Sequence, residues 1–340
     1  MRATLLFCAC LLASGASHAK SVIQNQFNHL GPAMHSLEAP SGRQLAYLDE
    51  GKKDWQVVVF VGGSGTSGRA FAMLEFLRQT RHNLELRFIA VERNGFGTTA
   101  FDDTLGYPDY AEDVEAVLAH LGVREFSLFA ISGGSPYAGV IAARNSARLL
   151  SVHLASSLTW WDPANLQCTL PASALTFYSE DPVAWFEFAP ESPVHRIPGF
   201  QDAAFDDAAR TFNMGGQAGD PAALHHEFQL YCQPQLPDLT AVTAPVFLYY
   251  GDADSLTPVE PHAGRWREAF GSAEVTTRLY PGEGHDAQYR HLDQILVDLA
   301  GLGDKLVLCD RGRKTRLVNS ARARTLLDKG ATLGICAWRD

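Results

Sequence analysis

The chain has 340 residues, with 28 Lys and Arg against 38 Asp and Glu and a formal net charge of −10. A surface of that sign speaks against nucleic acid as the main partner. The N-terminal apolar run is well under the roughly 20 residues needed to span a bilayer, and no later segment is apolar for long enough.

In chain order, Met1-Arg2, an apolar run from Ala3 to Ala13 and the small residues Ser14 to Ala19 come first. They read as a secretory signal peptide over 1–19, cleaved before Lys20, so the mature protein is expected to be exported, periplasmic or secreted, and without stable membrane insertion. About 320 residues then remain, enough for one large domain with an inserted subdomain. Of the six cysteines, Cys168, Cys232, Cys309 and Cys336 outlast the leader. An even number in an oxidising compartment suggests two disulfides rather than a metal site.

Apolar blocks at Val57–Val61 and Leu86–Val91 read as buried strands running into the glycine-rich turns Gly62 to Gly68 and Arg93 to Gly97. Tyr110 to Leu121 places Val114, Val117, Leu118 and Leu121 at helical spacing, with Gly122 past its end. A third buried strand, Phe126–Ala130, enters Ile131-Ser132-Gly133-Gly134-Ser135-Pro136, and further strands are expected near Val152–Ser156 and up to Gly251. Apolar strands alternating with helices imply an α/β fold, a mostly parallel sheet covered on both faces. The expected core spans 20–158 and 241–300.

Between Thr159 and Thr240 the alternation stops, and twelve aromatic residues accompany eleven acidic ones against Arg196 and Arg210. This stretch, 159–240, reads as a mainly helical cap, its acids mostly solvated, with one or two able to meet a substrate's amine. Residues 301–340 form a basic tail. There Lys305–Cys309 and Arg316–Val318 read as short strands joined by a turn, followed by a helix capped at Asn319 or Ser320, with Ala323, Leu326 and Leu327 on one face, and ended by Gly330. So small a module needs a staple, and the expected bridges are Cys309–Cys336 in the tail and Cys168–Cys232 in the cap.

The chemistry centres on Ala130-Ile131-Ser132-Gly133-Gly134. Small residues two before and two after a serine suit the strained strand-to-helix turn that exposes a nucleophile at the end of a parallel strand. Ser132 to Ala138 is similar to the elbow common among α/β-hydrolases, and Val61-Gly62-Gly63-Ser64-Gly65-Thr66-Ser67 resembles the His-Gly-Gly-Pro-Gly-Thr-Ser oxyanion loop of that superfamily. Glu92 to Gly97 resembles its third glycine turn. Val61 stands where the family often has His, so another hydrogen bond must order that loop.

The resemblance implies an α/β-hydrolase fold and a cofactor-free serine hydrolase. Ser132 would be the nucleophile, and the N–H groups of Gly63 and Gly133 the oxyanion donors. Gly251 to Pro258 resembles the family's Gly-x-x-Asp-x-x-x-Pro loop and selects Asp254 as the acid; Asp252, the rival, reads as a turn residue. Leu279 to His285 resembles Pro-Gly-x-Gly-His and selects His285 as the base, while His262 and His291 read as surface residues. The expected substrate is a small molecule, an ester first. An aminopeptidase related to the proline iminopeptidases comes second, and a non-catalytic binding protein on this fold third.

Overall fold

The computed structural model describes residues 32–186, 188, 190–213 and 220–336. The signal segment expected at 1–19 lies outside the described residues. Six parallel strands form the centre of an eight-stranded sheet: β3 (Gln56–Val61), β4 (Leu86–Val91), β5 (Phe126–Ile131), β6 (Leu149–Ala155), β7 (Val246–Gly251) and β8 (Val275–Tyr280). At one edge the hairpin β1 (Met34–Glu38) and β2 (Gln44–Glu50) adds antiparallel, giving the order β1-β2-β4-β3-β5-β6-β7-β8. That hairpin has no counterpart among the sequence expectations, because its outer strand is half exposed and lacks an apolar run.

Strands β3, β4 and β5 are apolar at all but one position each because both faces are covered. Along β3, Val57, Val59 and Val61 pack into one apolar layer and Val58 and Phe60 into the other; β5 divides its residues the same way. Burying a side chain such as Phe88 or Phe129 contributes roughly 1.5–3 kcal/mol, so the sheet is where the stability concentrates. Helices α1 (Tyr107–His120) and α2 (Ser135–Arg144) pack beneath the first layer. Helix α1 begins three residues earlier than the periodicity suggests, since Pro108 is tolerated in a first turn and Asp109 Oδ2 accepts the Gly106 N–H at 2.8 Å.

Residues 159–240, between β6 and β7, hold short helical turns and two longer helices, α3 (Phe200–Asn213) and α4 (Ala222–Tyr231). The core then continues through α5 (Val259–Ala269) and α6 (Leu292–Leu299). Disulfides join Cys168 to Cys232 and Cys309 to Cys336, the expected pairs.

The tail forms a second, antiparallel sheet, β9 (Lys305–Asp310) flanked by β10 (Lys314–Asn319) and β11 (Thr332–Leu333), with α7 (Ser320–Leu327) across one face. The Asn319 side chain caps α7 by accepting the Arg322 N–H at 3.0 Å. Ala323 and Leu326 pack inward as expected, but Leu327 stays 37% exposed, and β11 is a strand that no alternation in the sequence announces. Helix α6 is buried along its whole length, including Asp293, Gln294 and Asp298, because the tail covers its outer side. Gln294 serves the tail's backbone directly: Oε1 accepts the Val307 N–H at 2.9 Å and Nε2 donates to Lys305 O at 3.0 Å. Among the described residues no helix is long and apolar enough to cross a membrane.

Candidate active site

Strand β5 delivers Ser132 at its C-terminal end with φ of +51°, a left-handed conformation that costs a non-glycine residue strain. The turn permits only small neighbours. A Cβ on Gly134 would stand 2.4 Å from Gly62 O, and one on Gly133 would stand 2.1 Å from Ser64 Oγ. Pro136 fits the first turn of α2, where its missing N–H has no helical partner to lose.

Two further loops converge on the serine. After β7, Asp254 is held by its own loop: Oδ1 accepts the N–H groups of Leu256 at 2.9 Å and Thr257 at 3.0 Å, and Oδ2 accepts Thr257 Oγ1 at 2.8 Å. After β8, His285 places Nδ1 2.8 Å from Asp254 Oδ2 and Nε2 3.1 Å from Ser132 Oγ. With the Nδ1 proton directed at Asp254, Nε2 is free to accept the serine hydroxyl proton. Burial works to raise the Asp254 carboxyl, but the His285 contact and the Thr257 hydrogen bonds outweigh it and hold the group below the ordinary carboxylate range.

Asp252 does not reach this chain. Its Oδ1 accepts the Gly282 N–H at 2.6 Å, so it stitches the acid loop to the histidine loop instead of closing a turn on its own backbone. The two loops approach so closely that a Cβ on Gly251 would stand 2.1 Å from Glu283 O.

His262 and His291 are not surface residues. His262 is buried with Nδ1 2.8 Å from Thr159 Oγ1, and burial together with Arg265 pushes it down to about 4. His291, 1% exposed, stacks on Tyr280 and contacts Glu283 Oε2 at 2.7 Å, so it braces the loop that ends in His285. The sequence reading fails there because helix-like polar surroundings do not show that Thr159 closes over His262 or that Tyr280 stacks on His291.

The missing loop histidine has a physical replacement in Arg93. Its Nη1 donates to Gly62 O at 2.6 Å and Nη2 to Gly63 O at 2.6 Å, a fork on the carbonyls of the loop that carries the Gly63 N–H. Glu227 of α4 lies 2.9 Å from Arg93 Nε, an ion pair by proximity without an aligned hydrogen bond, and its Oε2 accepts the Gly65 N–H at 2.7 Å. Burial opposes the Arg93 charge, and the Glu227 carboxylate more than offsets it. Two more side chains from residues 159–240 hold the same loop: Trp185 Nε1 donates to Ser64 O at 3.0 Å, and Asp207 Oδ1 accepts Ser67 Oγ at 2.5 Å. Glu227 and Asp207 are therefore not solvated acids, and both are tied to loop residues. Arg93 stands in a glycine turn recognisable in the sequence, but nothing in the spacing reveals its partners.

A cavity of about 540 Å³ opens over Ser132 and His285, lined largely by aromatic and apolar side chains including Trp161, Tyr178, Trp185, Phe186, Phe188 and Phe228. Among the described residues, no Asp or Glu lines it.

Residues 56–292 match the family model described as the alpha/beta hydrolase fold. A non-heme chloroperoxidase of Burkholderia pyrrocinia is 24% identical over 268 residues, covering 75% of this chain and 94% of that protein. Among solved structures, an esterase from Rhodococcus is 20% identical with a TM-score of 0.58, covering 79% of this chain and 99% of the other. The enol-lactonase of Burkholderia xenovorans is 15% identical with a TM-score of 0.60, covering 79% and 99%. Identities this low show a shared fold alone, but the family model spans most of the sheet and all three loops described above, and the chain belongs to the alpha/beta hydrolase fold family.

Proposed function

We propose that this protein is an exported serine hydrolase that cleaves a carboxylic ester of a small or moderately apolar molecule through an acyl-enzyme on Ser132. The observation that carries the reading is the hydrogen-bonded sequence Ser132–His285–Asp254 at the base of an apolar cavity. His285 takes the Ser132 proton as Oγ attacks the acyl carbon, and Asp254, kept ionised, steadies the imidazolium. The N–H groups of Gly63 and Gly133 receive the oxyanion, and His285 returns the proton to the departing alkoxide. Water, activated by the same histidine, then releases the acid. Residues 159–240 act in this reading as the cap that shapes the acyl pocket, and 301–340 as a separate clamped module. Export is supported by the leader-like first 19 residues and agrees with the two disulfides.

The aminopeptidase reading needs a carboxylate for the substrate's ammonium. None lines the cavity among the described residues, and the buried acids Glu227 and Asp207 are engaged with the glycine loop, which favours an uncharged ester. A fluorophosphonate probe is expected to label Ser132, and short aryl esters to be hydrolysed at least about tenfold faster than prolyl or other aminoacyl amides. Absence of labelling in folded protein would favour a non-catalytic ligand-binding role; faster cleavage of the amides would favour the peptidase.

A further inference from the structure

Residues 159–240 reach the site at a second place, the turn that follows His285. There the short turn Pro193–Arg196 packs against the short helix Ala287–Arg290, with Val194, Ala287 and Tyr289 in one apolar layer and the ring centroids of Phe200 and Tyr289 4.7 Å apart. A polar pair is set into this apolar contact: Ser192 Oγ donates to Asp286 Oδ2 at 2.5 Å, and both residues are buried. The same hydroxyl accepts the Val194 N–H at 3.3 Å and so opens its own turn. A cap needs only an acceptor, which Asp would supply; the hydroxyl adds the donor that Asp286 takes. Asp286 is the residue next to His285. Upstream of the histidine, Asp252 anchors Gly282 and His291 contacts Glu283. Downstream, Asp286 O accepts the N–H groups of Tyr289 at 3.0 Å and Arg290 at 3.1 Å, and its side chain is tied to Ser192.

We propose that Ser192 is a positioning residue: through its hydrogen bond to Asp286 it holds His285 at the distance from Ser132 that proton transfer needs, and so makes the seating of the cap a condition for a working base. This rests on the triad reading above. The apolar packing of Val194 and Phe200 already keeps the segment in place, so the hydrogen bond is not needed to hold the cap down. What it adds is direction. A buried carboxylate deprived of its donor turns toward water or another donor, because leaving it unpaired is costly. The carboxylate belongs to the residue that follows His285, so its turning moves the backbone that carries the ring. His285 Nε2 stands 3.1 Å from Ser132 Oγ, and a misplacement of about 1 Å in such a pair can lower the rate by about 10²-fold. The effect falls on the chemical step, since neither Ser192 nor Asp286 lines the cavity.

The test compares wild type with Ser192→Ala, Ser192→Thr, Asp286→Ala, the double variant Ser192→Ala with Asp286→Ala, and Val194→Ala, all in the full chain and well below the lowest Tm of the set. Steady-state hydrolysis of a short p-nitrophenyl ester and the rate of fluorophosphonate labelling are measured together. Ser192→Ala is expected to lower kcat by about 10- to 100-fold with KM within about threefold of wild type, and to slow labelling by a similar factor. Ser192→Thr, which keeps the hydroxyl, should recover most of the rate. The double variant should be no slower than the slower single one, because Ser192 acts through Asp286. Val194→Ala loosens the packing of the same turn but spares the hydroxyl, so it should lower Tm with little loss of kcat. The inference is overturned if Ser192→Ala keeps kcat within about threefold of wild type, if Ser192→Thr fails to recover it, if the two Ala substitutions simply multiply, or if Val194→Ala loses as much rate as Ser192→Ala. Wild type that is not labelled sinks the hydrolase reading itself, whereas labelled wild type with an unimpaired Ser192→Ala sinks only the positioning role.

Discussion

The Arg93–Glu227 pair separates two kinds of contribution that a single substitution confounds. Its side chains are 3% and 1% exposed, so removing either partner strands a buried charge, and Arg93→Met or Glu227→Gln alone should cost about 3–5 kcal/mol of stability. The double variant Arg93→Met with Glu227→Gln removes both charges while a glutamine oxygen remains for the Gly65 N–H; most of that stability should return. Activity should not return with it. The fork on Gly62 O and Gly63 O is gone, and the Gly63 N–H, the proposed oxyanion donor, loses that support. Losing one positioned donor lowers kcat by about 10²–10³, or roughly 2.7–4 kcal/mol, with KM changed much less. Urea melts paired with steady-state ester hydrolysis check both halves. A folded double variant retaining kcat within about threefold of wild type would refute the claim that Arg93 sets the loop for catalysis.

Replacing Ser132 or His285 by Ala should abolish turnover, because triad members act as a unit, and active-site titration with the fluorophosphonate checks the loss. Asp254→Asn should lower kcat by about 10⁴, as a wrong histidine tautomer does, whereas Asp252→Asn should have a much smaller effect through the Gly282 contact; the reverse order would reassign the acid. Stability should also depend on pH through Asp207, whose carboxyl burial raises to about 7 despite the Ser67 hydrogen bond. A raised value favours the protonated form, so its contribution is complete below the ordinary value of about 3.9 and is lost as pH rises through 7. Asp207→Asn should match wild type near pH 4 and become progressively more stable than it by pH 8, by up to about 4 kcal/mol. Urea midpoints across that range check this, and a difference independent of pH would show that the carboxyl is not the cause.

Legibility in the sequence followed the physics of each element. Strands β3, β4 and β5 are mostly apolar on both faces and lead into glycine-containing turns, so they could be located to within a residue or two. The elbow and the two loops that bring Asp254 and His285 to it were also readable, since close backbone approach leaves glycine few substitutes. What could not be read was the partner of each buried polar group. Glu227, Asp207 and His262 look like surface residues because their counterparts lie far away in the chain, Glu227 being 162 residues from Gly65. Strand β8 shows another limit: it is half exposed, and only the motif that follows it marked its place.

The side chains that hold the glycine loop from above, Trp185, Asp207 and Glu227, all lie between Cys168 and Cys232. Closing that 64-residue separation removes about 4 kcal/mol of chain entropy from the unfolded ensemble in the loop-closure model. Site assembly is therefore among the most non-local events in the fold, with Ser132 and His285 themselves 153 residues apart, and contacts of such separation form late. The chain's biogenesis inherits an ordering from this. On the proposed function, a reduced polypeptide holds that loop less firmly, so hydrolytic competence is expected to rise where the bridge can oxidise.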